Sequence, residues 1–346
     1  MSLRTVIEAT SLRGLLALPD GVLRRLAGPP VRLDGQTLAA ETQVTLRLQR
    51  LLRIPGAETL PIPAGRDAMR HHTDVVRGRQ PVGAVRDLEV AGLPARHYLP
   101  SGRRGGPGPL LLFFHGGGFL YGDLETHDAP CRVLAERSGV PVLAVEYRLA
   151  PEAPFPAAFD DAEAAHAWVL DHAADLDLDP ARLAVGGDSA GGNLAAWVAV
   201  HAARSGLPLA WQLLVYPVAT TTHATASYDL FQRDLYLTGD FMELATRTFL
   251  PTAEARADER VNLLHADLPV GLAPAYVVTA GFDPLRDEGE GYAARLAAAG
   301  AAVETRRFAD QIHGFLNIVG VGRRSRAAVD EIADRLAGAM TRVGTN

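Results

Sequence analysis

A serine flanked by glycines lies where the sequence changes from an apolar run to a helical pattern. Residues 183–194 read LAVGGDSAGGNL, and Gly187, Ser189 and Gly191 give the spacing G-x-S-x-G. Between a strand and a helix, this spacing predicts a sharp turn that presents the serine hydroxyl to a ligand. Glycines relieve the crowding at such a turn because they carry no Cβ atom. The stretch therefore predicts Ser189 as a nucleophile.

A serine nucleophile needs a base, and the base needs a group that orients it. His313 is the predicted base, since it precedes a glycine in a loop that follows a predicted strand. Asp283 comes soon after the apolar run 275–280 and is the predicted orienting acid. Asp287 and Asp310 compete for that role, because one lies in the same stretch and the other lies close to His313. A turn or helix-capping role also stays open for Asp283.

A run of three glycines could supply a further requirement of acyl transfer, a site that stabilises an oxyanion through backbone N–H groups. Residues 110–119 read LLLFFHGGGF, an apolar strand pattern that ends in the glycines. A phosphate-binding loop is the competing interpretation, but the chain has no lysine and lacks the dinucleotide spacing. The chain order of glycine loop, serine, aspartate and histidine is the order that α/β-hydrolases use.

Longer motifs surround these residues. They are HGGGF at 115–119, YRLAPE at 147–152, FP at 155–156, DDA at 160–162, GDSAGGN at 187–193, DPLRDEG at 283–289 and HGF at 313–315. In this order and spacing the chain resembles the hormone-sensitive-lipase-like branch of the α/β-hydrolases, the bacterial family IV esterases. The resemblance covers residues 110–315, and about the first eighty residues match the family less clearly.

The resemblance implies a function and gives roles to the site residues. It implies a carboxylic-ester hydrolase that acts on short to medium acyl chain esters through a Ser-His-Asp triad and an acyl-enzyme intermediate. It also implies an oxyanion hole made by the backbone N–H groups of Gly116, Gly117 and Ala190. His115 would support the glycine loop and would not act as the base. No cofactor is expected, and the partner is a small-molecule ester substrate.

Two alternatives to an esterase remain open. One is an amide or carbamate hydrolase with the same triad, because fold and triad alone do not select the bond that is cleaved. The other is a non-catalytic small-ligand-binding protein of the same fold. Plant hormone receptors that resemble this family keep the fold and have lost the catalytic histidine. The presence of His313 favours catalysis.

The elements that must position these residues alternate along the chain. Apolar runs and helical patterns succeed one another after residue 110, which predicts a mostly parallel twisted sheet of about eight strands flanked by helices. Residues 85–90 and 95–99 predict an antiparallel pair. We therefore expect an α/β class protein with the α/β-hydrolase fold, a core over 81–346 and a helical cap.

The cap is predicted in two segments. Residues 1–80 read as helices broken by proline and glycine, and a second insertion is expected at about 218–270. Helical spacing predicts two apolar helix faces. One comprises Val44, Leu48, Leu51 and Leu52, and the other comprises Val22, Leu23 and Leu26. Both a cap and a dimer contact remain open for the N-terminal helices, so the chain could form a homodimer. His71 and His72 are expected on a solvated helix face.

An aromatic pocket is the last predicted part of the site. The insertion between two core strands is rich in large apolar side chains, and such residues line ligand pockets. The residues predicted to line the substrate pocket are Phe119, Phe231, Tyr236 and Phe241.

Composition excludes several other classes of protein. The net charge of −6, with both signs mixed along the chain, argues against a nucleic-acid partner. The single cysteine, Cys131, rules out an intrachain disulfide and is expected to be a buried small hydrophobe. Asp160 and Asp161 are predicted to begin a helix, and we expect no metal site. The sequence also predicts no signal peptide and no integral membrane segment, hence a cytoplasmic location.

Overall fold

The chain is built around an eight-stranded sheet. The structure, a computed structural model, describes residues 2–103, 105–222 and 224–343. A short hairpin of β1 (Arg32–Leu33) and β2 (Gln36–Thr37) lies outside the sheet. The strands of the sheet are β3 (Ala84–Val90), β4 (Leu93–Leu99), β5 (Gly108–Phe114), β6 (Val142–Val145), β7 (Leu178–Asp188), β8 (Trp211–Val215), β9 (Ala275–Phe282) and β10 (Val303–Ile312). The outer limits of the predicted domains, residues 1 and 346, lie outside the described residues.

The strand order confirms the predicted mostly parallel sheet. The order is β10-β9-β8-β7-β5-β6-β4-β3, in which β4 pairs antiparallel with both β3 and β6 and the other pairs are parallel. The antiparallel hairpin of β3 and β4 is the one that the sequence predicts. Because the six parallel strands point the same way, their carboxyl ends meet at one edge of the sheet.

Helices cover both faces of this sheet. The helices are α1 (Leu3–Leu16), α2 (Asp20–Ala27), α3 (Ala40–Leu51), α4 (Ile62–Val76), α5 (Asp128–Ser138), α6 (Ala157–Asp171), α7 (Ala190–Ser205), α8 (Ala226–Phe231), α9 (Gly239–Phe249), α10 (Ala253–Ala257), α11 (Arg286–Ala298) and α12 (Arg324–Val343). One apolar core lies between the sheet and α6, α7 and α11, and a second lies between the sheet and α5 and α12. None of the described helices combines the length and the apolar character that crossing a bilayer requires.

Strand β9 extends beyond the apolar run 275–280 that the sequence shows. It continues to Phe282, and its neighbour β10 continues to Ile312. These two residues stand opposite each other in register, and both side chains are buried. Burial of apolar side chains at the strand ends stabilises the longer pair.

The apolar faces predicted for the N-terminal helices are partly wrong. Leu51 and Leu52 are 70% and 63% exposed, whereas Val44 is buried. The buried face of α3 centres on its first half, where the Gln43 amide donates to the carbonyl oxygens of Ala27 and Pro29. The second predicted face is also wrong, because Leu23 is buried but Val22 and Leu26 are exposed.

The N-terminal helices are fixed to the sheet domain by polar contacts. The buried Glu41 carboxylate accepts hydrogen bonds from the N–H groups of Arg323 and Arg324 at 2.6–3.0 Å. These groups lie at the start of α12, where an acceptor with negative charge is favourable. The Gln36 amide donates to the carbonyl oxygen of Gly281 (3.1 Å), at the carboxyl end of β9. The segment before β3 therefore packs beside the sheet edge at which the strands end.

Candidate active site

Three predicted residues each follow directly after a parallel strand. Ser189 comes after β7, Asp283 after β9 and His313 after β10. The Oγ–H group of Ser189 donates to Nε2 of His313 (3.0 Å), and Nδ1–H of His313 donates to Oδ2 of Asp283 (2.7 Å). In this tautomer the imidazole can accept the serine proton while the carboxylate stabilises the resulting imidazolium. The structure thus brings together the three side chains that the sequence selects.

The turn at Ser189 has the strained backbone that the motif predicts. Its φ of +55° lies in a region that side-chain-bearing residues rarely adopt. The neighbouring strand β8 holds this conformation, because Ser189 N–H donates to the carbonyl oxygen of Val215 (2.9 Å). A Cβ atom on Gly187 would collide with the carbonyl of Gly191, and one on Gly191 with the carbonyl of Phe114. Both glycines of the motif are therefore required by close backbone approach.

The contacts of the aspartates distinguish the competing acids. Asp283 is fully buried, and its second carboxylate oxygen accepts a hydrogen bond from Leu285 N–H (2.8 Å), so it supports the turn as well as the imidazole. Asp287 instead accepts hydrogen bonds from the Ser227 N–H and the guanidinium of the residue before it. Asp310 lies 3.7 Å from the guanidinium of Arg324. Only Asp283 of the three contacts His313 in the described residues.

The oxyanion role predicted for Gly116 is wrong. Its N–H donates to Oδ1 of Asp188 at 2.8 Å, so this donor is occupied by a buried carboxylate. The next two residues, Gly117 and Gly118, line the pocket with Ser189, and neither donates a hydrogen bond from its N–H within the described residues. Their φ values of +128° and +63° suit glycine and carry the backbone around the pocket wall. The available donors of the loop are therefore shifted by one residue.

Asp188 links the glycine loop to the end of β7, the strand that precedes Ser189. Besides the Gly116 N–H, its Oδ1 lies 3.1 Å from Nε2 of the buried His127. Burial alone would raise the pKa of the Asp188 carboxyl, but the His127 imidazole and the Gly116 N–H lower that pKa below its usual value. An ionised carboxylate at this position holds the loop against the strand end by a charge-assisted hydrogen bond.

His115 supports the same loop from below, which agrees with the role that the resemblance implies. Its ring stacks on Tyr147 at 4.3 Å, and the Tyr147 hydroxyl donates to the carbonyl oxygen of His115 (2.7 Å). Burial lowers the pKa of His115 to about 4, so the ring is neutral at physiological pH. It makes no contact with Ser189 in the described residues.

The pocket has two branches that meet at Ser189. The open branch has a volume of about 310 Å³ and is lined by His313, α3, α4 and the segment before α9. The closed branch has a volume of about 60 Å³, and its wall is mostly apolar: Phe119, Val218, Phe241, Met242, Phe249, Leu250, Val261 and Leu285. Phe119 stacks face to face on Phe249 at 4.0 Å, and none of the described residues that line the closed branch is exposed.

Three of the four predicted pocket residues lie at this site. Tyr236 lines the open branch, Phe119 lines the closed branch and Phe241 lines both. Phe231 does not line either branch. It is fully buried against Phe282, with the Arg286 guanidinium 5.2 Å from its ring centre. The prediction failed because an aromatic residue in the insertion can equally pack onto the end of β9.

Three polar residues of the site were missed from the sequence. His72 lines the open branch, and burial, followed by the charge of His71, lowers its pKa below the usual value. This contradicts the solvated position predicted for it, although His71 does contact Glu8 at the surface (2.7 Å). Met69 also lines the branch, and the spacing of three residues between Met69 and His72 on α4 was the available signal.

Glu58 and Glu288 are the other two polar residues of the site that the sequence did not reveal. The Thr238 hydroxyl donates to the Glu58 carboxylate (2.9 Å) across the open branch. The fully buried Glu288 accepts a hydrogen bond from Ala219 N–H (2.8 Å), and burial raises its pKa to about 8. It fixes the loop after β8 that forms one wall of the closed branch. Local sequence carries no signal for either contact, because each joins distant segments.

Comparison with known proteins gives concordant matches. Residues 111–317 match a family described as having the alpha/beta hydrolase fold. The chain is 43% identical to the carboxylic ester hydrolase LipN of Mycobacterium tuberculosis over 92% of this chain and 87% of that protein. It is 37% identical to the ethyl acetate hydrolase of Pseudomonas putida over 65% and 72% of the two chains. The crystal structure of an alpha/beta hydrolase enzyme from the metagenome of Lake Arreo, Spain, superposes with a TM-score of 0.84 at 38% identity, over 87% and 98% of the chains.

The contacts of Asp188 predict a specific loss on substitution. We expect Asp188→Ala to lower kcat for p-nitrophenyl butyrate by about 10²-fold with little change in KM, because the released loop no longer aligns its N–H donors. Asp188→Asn should recover part of the rate, since its amide oxygen can still accept from Gly116. Circular dichroism would establish that both variants are folded. Equal kcat values for Asp188→Ala and the parent protein would contradict this role.

Proposed function

Because the chain belongs to the α/β-hydrolase fold family and is a carboxylic ester hydrolase, we propose that it cleaves esters of short to medium acyl chain length. We assign Ser189 as the nucleophile, His313 as the base and Asp283 as the orienting acid. The supporting observation is the chain of two hydrogen bonds, 3.0 and 2.7 Å long, that joins their side chains. The similarity to a protein named ethyl acetate hydrolase also supports a short acyl substrate, because acetate is a short acyl group.

The proposed reaction proceeds in two halves. Nε2 of His313 takes the proton of the Ser189 hydroxyl while Oγ attacks the ester carbonyl carbon. The tetrahedral intermediate then collapses, and Nε2–H protonates the departing alkoxide, which leaves an acyl-enzyme. Water then attacks the acyl carbon while the same nitrogen takes its proton, and Nε2–H returns that proton to Oγ of Ser189 as the carboxylic acid leaves. Asp283 holds the ring through Nδ1–H and stabilises the imidazolium.

We assign the oxyanion hole to the N–H groups of Gly117, Gly118 and Ala190. Gly117 and Gly118 have free donors at the pocket wall, as described above. Ala190 is the first residue of α7, where the N–H groups of a helix have no partner inside the helix and the helix dipole favours negative charge. Donors that are held in place before the reaction stabilise the charge as it develops on the carbonyl oxygen.

The position of His313 gives a direction to the substrate. The leaving alkoxide must lie close to Nε2 of His313 to receive its proton, and His313 lines the open branch and not the closed one. We therefore place the alcohol part of the ester in the open branch and the acyl chain in the closed branch. The small volume of the closed branch, about 60 Å³, favours a short acyl chain.

We propose that residues 1–80 and 218–270 together form the cap of this site. Supporting this, α3 and α4 from the first segment and Tyr236 and Phe241 from the second line the same open branch. The hydrogen bond from Thr238 to Glu58 joins the two segments directly. We also propose a cytoplasmic location, which rests on Cys131 being a buried free thiol.

The proposed triad predicts unequal effects for the three aspartates. Asp283→Asn should lower kcat by about 10⁴-fold, as the same substitution does in serine proteases, because the amide favours the wrong histidine tautomer. Asp287→Asn and Asp310→Asn serve as matched controls and should each cost far less. Steady-state hydrolysis of p-nitrophenyl butyrate by folded variants measures all three. A crippled Asp310→Asn beside a nearly normal Asp283→Asn would show that the acid is wrongly assigned.

The two branches predict a change in acyl preference. Met242→Ala enlarges the closed branch, and each further buried methylene contributes about 0.8 kcal/mol. We expect the ratio of kcat/KM for the hexanoate ester to that for the butyrate ester to rise about tenfold. Met69→Ala is the control, since Met69 lines only the open branch. If Met69→Ala changes the acyl profile and Met242→Ala does not, the assignment of the branches is reversed.

A further inference from the structure

The exposed arginines around α2 and α3 lack the carboxylate partners that most arginines in this protein have. Six arginines in residues 22–54 are exposed, and none of them forms an ion pair in the described residues: Arg24, Arg25, Arg32, Arg47, Arg50 and Arg53. The two carboxylates of the same stretch are already engaged. Asp34 pairs with Arg286 (2.7 Å), and Glu41 is buried at the start of α12. The stretch is therefore a cationic surface on a chain of net charge −6.

Exposed apolar side chains lie among these arginines. Of the twelve large hydrophobic side chains that are exposed in the described residues, six belong to this stretch: Val22, Leu26, Leu33, Leu51, Leu52 and Ile54. We call these six and the six arginines the Arg-Leu surface. A mixture of arginine with protruding leucine and isoleucine is typical of protein segments that lie on membrane interfaces.

Contacts within the fold hold much of this surface together. Helices α2 and α3 pack against each other, and the Arg47 guanidinium donates to the carbonyl oxygen of Leu26 (3.3 Å). Along α3, Arg47 and Leu51 are four residues apart and share one side of the helix. The end of α2 and the outer side of α3 therefore form one continuous surface.

The same surface reaches the opening of the catalytic pocket. Arg50, Arg53 and Ile54 line the open branch and are also exposed, so they stand where that branch meets solvent. The open branch ends at Ser189. A partner bound to the Arg-Leu surface would thus lie beside the entrance that the substrate must use.

We propose that the Arg-Leu surface docks the protein on bilayers that contain anionic phospholipid, with the pocket opening toward the lipid. Anionic headgroups complement the unpaired arginines, and the boundary of the acyl region accepts the exposed leucines. A second copy of this chain fits less well, because a two-fold contact would bring the same arginines of both copies together. Nucleic acid would satisfy the arginines and leave Leu51, Leu52 and Ile54 in water.

Docking would change how the enzyme meets its substrate. Amphipathic esters partition into bilayers, so an opening held against the lipid would receive them without their passing through bulk water. The binding step uses no residue of the triad, and vesicle binding can therefore be measured independently of catalysis.

The experiment is co-sedimentation of the full chain with vesicles. The probes are vesicles of phosphatidylcholine with phosphatidylglycerol at a one-to-one ratio and vesicles of pure phosphatidylcholine. We expect binding to the anionic vesicles alone, and weaker binding as salt is raised, because salt screens exposed charges. Arg25→Gln/Arg53→Gln should bind roughly tenfold more weakly or worse, since each arginine near such a surface contributes about fivefold. Leu51→Ser/Leu52→Ser should also weaken binding.

Arg79→Gln/Arg86→Gln is the matched control, because both arginines are exposed, lack an ion pair in the described residues and lie outside the surface. An equal loss in this control, or equal binding of the parent protein to both kinds of vesicle, would overturn the proposal. An absence of vesicle binding would also overturn it. A dimer in sedimentation velocity that Leu51→Ser/Leu52→Ser dissociates would then assign the surface to a second copy of the chain, and tight binding of duplex DNA would assign it to nucleic acid.

Discussion

The site depends on the register of parallel strands at one edge of the sheet. Val215 of β8 stands opposite Asp188, the last residue of β7, and opposite Val278 of β9. From Val278, β9 continues by four residues to Phe282, which stands opposite Ile312 of β10. The residues that follow β9 and β10 therefore reach beyond the end of β7, toward the serine that follows it. Side chains from strands this far apart in sequence form two short hydrogen bonds because the sheet fixes their separation. A shift in register of any of these strands would break that chain.

Two buried carboxyl groups organise the rest of the site around this edge. The Asp188 carboxylate fixes the glycine loop through Gly116 N–H, which leaves the donors of the following glycines available to a ligand. Glu288 differs, because burial favours its protonated form while it holds the loop after β8. Both groups sit outside the triad, and both keep backbone segments at fixed distances from Ser189. Such positioning makes the electrostatic environment of the reaction rigid before the substrate arrives.

The sequence predicted the features that depend on local pattern. Ser189, Asp283 and His313 each belong to a short motif directly after a strand, and their convergence follows from a parallel sheet. Gly116 was assigned wrongly because its donor is occupied by the side chain of Asp188, far away in sequence. The exposure of Leu51 likewise reflects where α3 meets the core, which helical periodicity does not contain. Tertiary partners thus decide what motif and periodicity leave open.

Above all, we propose that Ser189 attacks the substrate and becomes acylated. An organophosphate mimics the tetrahedral intermediate and remains on the nucleophile, so digestion and mass spectrometry can locate it. We expect one adduct per chain, on the peptide that contains Ser189, and no adduct in Ser189→Ala. An adduct on Ser138 or Ser227, or undiminished labelling of Ser189→Ala, would contradict it.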